Sequence, residues 1–285
     1  MTQTSSEIVE TATARLYGAS ELGVLSFTSP GDAHPRVEYV GGELFVGLVD
    51  ANGVAITQGV VASWPEPFPD VVASVIATVP ALPAADAGMI VVDDETLSAA
   101  LPVDPRRLAD GEFARAPVVF ALARDCVVIV GADDDAAIAR VLTLADELFE
   151  AGGPLVSGHP IVLTEGAWAP FPWRERLPEL ELRFERMLRL FSVRAYEAQS
   201  AMLQRPDVHI ADAKIRVLDS GVTTTFATWP KGTATLLPVV DNVIIADPAG
   251  TLSVATFAQF LDAGGDAIVR TGLSPLRYFV PGDRP

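Results

Sequence analysis

Hydrophobic residues in this chain fall in short runs whose spacing changes along its length, and each spacing predicts a different element. The densest runs are Val118–Ala123 and Cys126–Val130, separated only by Arg124-Asp125. Nearly unbroken apolar runs of this length, rich in β-branched residues and bounded by charge, predict strands buried on both faces. Asp133-Asp134-Asp135 then opens an amphipathic stretch that reaches Glu150. Aspartates at that place accept the orphan N–H groups of a first helical turn and favour the positive end of its dipole, so a helix is predicted. Shorter runs predict strands at Leu22–Phe27, Arg36–Val40, Leu44–Val49 and Met89–Val92, with turns at Ser29-Pro30-Gly31-Asp32 and Gly41-Gly42. Helical signals predict a leading helix over Glu7–Gly18, capped by Ser5 or Ser6, and another near Asp70–Val79.

The pattern changes after Gly152-Gly153-Pro154. A short strand is predicted at Pro160–Leu163, followed by a Trp/Pro-rich loop, Gly166–Trp173. Leu177, Leu180, Phe184, Met187 and Phe191 then recur at intervals of three and four, which predicts one long helix from Pro178 to Gln204. Glu179 with Arg183 and Glu185 with Arg189 are i,i+4 pairs on that helix, worth about 0.3–0.5 kcal/mol each. Strands are predicted near Val208–Leu218, Val222–Thr228 and Val239–Ala246, then a final helix over Ser253–Leu261 and a last apolar stretch, Leu276–Val280. The expected architecture is α+β, with mixed sheets and helices packed on one face, in two sub-domains: an acidic 1–152 and a C-terminal 153–285.

Composition narrows the class. With 285 residues, 49% of them hydrophobic, the chain can bury a large core. No apolar run approaches the roughly 20 residues of a membrane span, so no membrane partner is expected. The first residues lack the basic start and apolar stretch of a secretory signal, and a cytoplasmic location is the expectation. Cys126 is the single cysteine, which rules out an internal disulfide, and its strand setting marks a small core residue. The net charge of −17 is uneven: residues 1–150 hold 23 acids and 7 bases, residues 151–285 hold 14 and 13. Nucleic acid is excluded as a partner, because phosphate binding needs a basic surface.

Three blocks resemble a known family. Leu44–Asp50 followed by a Val/Ala-rich helix, Arg124-Asp125 between two apolar strands followed by Gly131-Ala132-Asp133-Asp134, and Leu237–Ile245 are similar to successive units of the YtpQ-like bacterial proteins, a domain family of unknown function. The resemblance implies a fold order over most of the chain. It implies no activity, cofactor or site residue.

Two constellations are candidates for function. Asp50, Asp93, Asp94, Asp133, Asp134 and Asp247 each follow a predicted strand. Were those strands parallel neighbours, the carboxylates would line one sheet edge and could hold Mg²⁺; Asp50, Asp93, Asp133 and Asp247 are then the candidate ligands of a metal-dependent hydrolase. The simpler reading is that each caps the turn or helix after it. Asp247-Pro248-Ala249-Gly250-Thr251-Leu252 is similar to the phosphotransfer motif of haloacid dehalogenases, but Ala249 replaces the second acid, which leaves a turn. The three histidines, His34, His159 and His209, stand at no metal-ligand spacing. The second constellation is segment 168–205. It holds Trp168, Phe171 and Trp173 and, with Arg174, seven of the 18 arginines. Trp and Arg are enriched where binding energy concentrates. Trp168, Phe171, Trp173, Arg183, Arg186 and Arg189 are therefore expected to bind another macromolecule such as a protein, with no catalytic centre and no cofactor. Self-association is expected, as a further reading, through the apolar face of the long helix.

Overall fold

In the computed structural model, which describes residues 5–86, 88–108, 113 and 115–282, the two dense apolar runs form the middle of a sheet. The chain divides into two units, Met1–Glu181 and Leu182–Pro285. The first begins with α1 (Ser5–Thr11), β1 (Thr13–Gly18), α2 (Ala19–Thr28), β2 (Val37–Gly41), β3 (Leu44–Val49), α3 (Gln58–Val61) and α4 (Phe68–Ile76). It continues through β4 (Met89–Val92), α5 (Glu95–Val103), β5 (Pro117–Ala123), β6 (Cys126–Gly131), α6 (Asp135–Ala151), β7 (Ile161–Thr164), β8 (Ala167–Pro170) and α7 (Trp173–Arg176).

Strands order β4-β6-β5-β7-β8 in one sheet and β1-β3-β2 in another, and every pairing is antiparallel. β5 and β6 are buried along almost their whole length because both faces are covered. Val119, Ala121, Val127 and Ile129 share a core with Leu16, Val46, Val72 and Leu101. Their neighbours Val118, Phe120, Val128 and Val130 point the other way by strand alternation. On that side lies α6, in contact with both strands and burying Ile138, Val141 and Leu142. Asp134 caps α6 by accepting the Ala137 N–H at 2.8 Å, and Gly152, with φ 80°, closes it in the left-handed region.

The second unit opens on α8 (Glu181–Met202) and follows with β9 (His209–Ile210), β10 (Lys214–Val217), β11 (Thr223–Pro230), β12 (Thr235–Pro238) and β13 (Asn242–Ala246). β14 (Leu252–Thr256), α9 (Phe257–Gly264), β15 (Val269–Arg270) and β16 (Arg277–Val280) complete it. Its two sheets, β10-β11-β13-β14 and β15-β16-β12-β9, are mixed, with β11 parallel to β13 and β12 parallel to β9. Tyr196 of α8, Ala227, Trp229, Leu237, Val243 and Phe260 form its core. Among the described residues no helix is long and apolar enough to cross a membrane.

The fold is α+β, and several local expectations are corrected. The loop expected over Gly166–Trp173 contains β8, and the strand expected near Val208–Leu218 divides into β9 and β10 of different sheets. The leading helix stops at Thr11, and Thr13–Gly18 is a strand. There Ala14 and Leu16 alternate inward and pair across β3, so sheet formation overrides helical spacing. Leu22–Phe27 is helix rather than strand. A short apolar run cannot by itself distinguish the two, and only Leu22 of α2 is buried. Ser253–Leu261 divides into β14 and α9, because the Thr256 hydroxyl and the Gln259 side chain form a capping box that starts the helix at Phe257. The boundary moves as well. β7 pairs with β5, and β8 with β7, so the chain after Gly152-Gly153 stays in the first unit until Glu181. Those glycines end a helix. Counted on the structural units, the first holds 27 acids and 9 bases and the second 10 and 11.

Candidate functional site

The strand-end aspartates do not gather. In an antiparallel sheet the C-terminal ends of neighbouring strands point to opposite edges. β4 and β6 pair with Val92 opposite Val127 and Met89 opposite Val130, which sends Asp93 to one edge and Asp133 to the other. Asp50 accepts the N–H groups of Asn52 and Val54, each at 2.9 Å, and so holds its own turn. Asp94 caps α5 through Leu97 N–H at 2.7 Å. Asp133 takes ion pairs from Arg115, at 2.6 Å, and from Arg176. Asp247, in the second unit, accepts Ala249 N–H at 2.9 Å in a turn. Among the described residues no group of three or more His, Cys, Asp or Glu converges as a metal would require. The expected Mg²⁺ edge fails because it needed parallel strands.

Two of the three aromatic residues of the expected contact surface are interior. Phe171 and Trp173 are buried, and Trp168 packs against the core while its indole N–H donates to the Pro102 carbonyl at 2.7 Å. A cleft of about 330 Å³ lies beside them, with His159 and Arg174 on its lining. The Arg174 guanidinium lies 4.2 Å from the Trp173 ring centroid. Arg183, Arg186 and Arg189 sit half-buried on α8, in the other unit. Arg189 is engaged internally: it meets Glu185 at 3.0 Å and Asp241 at 2.9 Å.

Other ionisable groups also serve the fold. Arg124 pairs with Glu21, and Arg15 with Glu95 at 2.5 Å. Burial raises the Glu21 carboxyl above its ordinary range, although Arg124 opposes this. Burial pushes the Cys126 thiol up to about 11, with Asp125 and Asp93 adding to it. Reaction at sulfur needs the thiolate, which burial disfavours here.

The candidate feature that hydrophobic patterning does not single out is β14. It is the outer strand of its sheet, and on its outward face Leu252 and Val254 are 67% and 66% exposed. Its inward residues, Ser253 and Ala255, are small and border a cleft of about 540 Å³ under α9. Trp229 and Phe260 also line that cleft, and their rings meet edge to face at 5.4 Å. Lys231, Asp247 and Gln259 give it polar edges. The signal for it in the sequence is Thr256-Phe257-Ala258-Gln259, a capping-box pattern that places the helix start after Thr256 and leaves Leu252–Ala255 to be extended. No family model, no curated protein and no solved structure matches this chain.

Proposed function

We propose that the chain acts by binding another polypeptide, without a catalytic centre, and that its contact surface is the open edge of β14 with the cleft beside it. The polypeptide-binding function expected from the sequence is kept, but it moves away from Trp168–Trp173, because those aromatic groups are already spent on the core. One observation carries the reading: β14 is an uncharged edge strand with two large apolar side chains two-thirds in solvent. A strand laid beside it would gain main-chain hydrogen bonds, and its alternate side chains would reach toward the small residues Ser253 and Ala255 and the cleft. Exposed edges of this kind template pairing unless something blocks them.

Selection of phage-displayed random peptides on the immobilised full chain tests the proposal. Enriched peptides are expected to carry apolar residues at alternate positions and to lose binding to Val254→Lys. No enrichment, or equal retention by Val254→Lys, would overturn it.

A further inference from the structure

The sheet edges differ in how they are defended. Natural edges are blunted by charge, proline, bulges or shortness. β1 carries Arg15. β2 carries Glu38 and a register shift between Tyr39 and Gly41. β4 is bracketed by Asp86 and Asp93-Asp94, and β8 ends in Pro170. β9 and β15 have two residues each, and β10 carries Lys214 and Arg216. Among the described edge strands β14 alone runs five residues with no charge, proline or register shift.

We propose that β14 pairs with β14 of a second copy, antiparallel and centred on Val254, joining two four-stranded sheets into one of eight. The inference rests on the binding reading above and names the partner. The β13–β14 ladder and the α9 capping box, in which Thr256 N–H donates to Gln259 Oε1, fix which groups are available. Phe257 N–H donates to the Asp241 carbonyl and Asp247 N–H to the Thr251 carbonyl. By alternation Ser253 and Ala255 turn their main-chain groups to β13, while Leu252 and Val254 turn theirs outward. Pairing about Val254 sets that residue against its own equivalent and Leu252 against Thr256 of the other copy. All three lie on the outward face, and Ser253 meets Ala255 on the inward one, so the register is self-complementary, as a two-fold interface requires.

Charge opposes this occupant least at β14. The chain carries −17, yet the unit bearing β14 has 10 acids and 11 bases, and the strand itself has none. Two copies therefore approach on their least repulsive part. A five-residue strand offers less than the roughly 800 Å² per partner of a permanent interface. The dimer is accordingly reversible and concentration-dependent.

Sedimentation equilibrium on the full chain tests the pairing, with Val254→Lys and Val254→Glu as variants. Like charges set directly opposite each other oppose pairing, so each variant alone should weaken the dimer at least about tenfold. An equal mixture of the two should restore it. Val254 is two-thirds exposed, so both variants should keep the parent's circular dichroism and melting temperature. A parent that stays monomeric at its highest soluble concentration, a lysine variant that dimerises as well as the parent, or a mixture that remains monomeric would each overturn the inference. A monomer that still captures the selected peptides removes self-pairing and leaves the binding reading. One that captures none removes both.

Discussion

At the scale of single residues, Arg277 sets the largest local demand. It is fully buried, and among the described residues no carboxylate bridges its guanidinium. Nε donates to Gln199 Oε1 at 2.6 Å, and Nη1 to the carbonyls of Ala211 and Leu236 at 2.7 and 3.1 Å. Nη2 donates to Ser200 Oγ at 2.8 Å and, at 3.4 Å, to the Tyr196 carbonyl. The Tyr196 ring centroid lies 5.1 Å from the guanidinium carbon. Burial pulls its pKa down to about 10, partly opposed by Tyr196 and Asp212, so it stays charged at neutral pH. A buried cation held by neutral oxygens stabilises only while every oxygen remains matched. Replacing Arg277 by Ala should cost about 3–5 kcal/mol in urea denaturation of the full chain, since it leaves a cavity and several orphaned acceptors. Arg277→Lys should recover little, because an ammonium has three donors and no planar fork. A lysine variant as stable as the parent would show that charge alone suffices there.

At the scale of elements, Asp241 ties α8 to the sheet. Its carboxylate accepts Arg189 Nε at 2.9 Å, Thr225 N–H at 2.7 Å and the Thr225 hydroxyl at 2.8 Å. Burial alone would raise its pKa, but Arg189 and Thr225 outweigh this and hold it below the ordinary carboxylate range. A depressed folded pKa means that the folded form prefers the charged group. The stability it gives is present above the unfolded value and is lost as pH falls through the folded one. Asp241→Asn should therefore lower stability by about 1–2 kcal/mol at neutral pH. The gap to the parent should close in melts taken progressively below about pH 4. Elements fixed by local chemistry are legible in the sequence. Leu44–Val49, Met89–Val92, the β5–β6 pair and the Asp134-capped α6 follow from short apolar runs and one capping residue. Elements decided at a distance are not: β1 is a strand because β3 lies beside it. The expected aspartate site fails for the same reason, since strand direction is a property of pairing and leaves no local trace. Trp173 and Phe171 illustrate the converse. Their residue types suit an interface, but only packing decides whether they meet a partner or a core.

At the scale of the whole molecule, charge is unevenly divided between the units. The first carries nearly all of the excess, 27 acids against 9 bases, while the second is close to balanced. Two approaching copies each bring −17, which opposes association through the long-range field even where the touching surfaces are neutral. Raising salt from about 0.1 M to about 1 M shortens the screening length from about 10 Å to about 3 Å. If main-chain pairing and the apolar contacts of Leu252 and Val254 hold the copies, screening removes only the repulsion. The dimer should then tighten several-fold across that range in sedimentation equilibrium. The opposite slope has a definite alternative source. Lys214 and Arg216 on the other edge of the same sheet could be drawn to the acidic unit of a neighbouring copy, in a head-to-tail contact that salt would weaken. The sign of the salt dependence therefore separates the two geometries without a mutation.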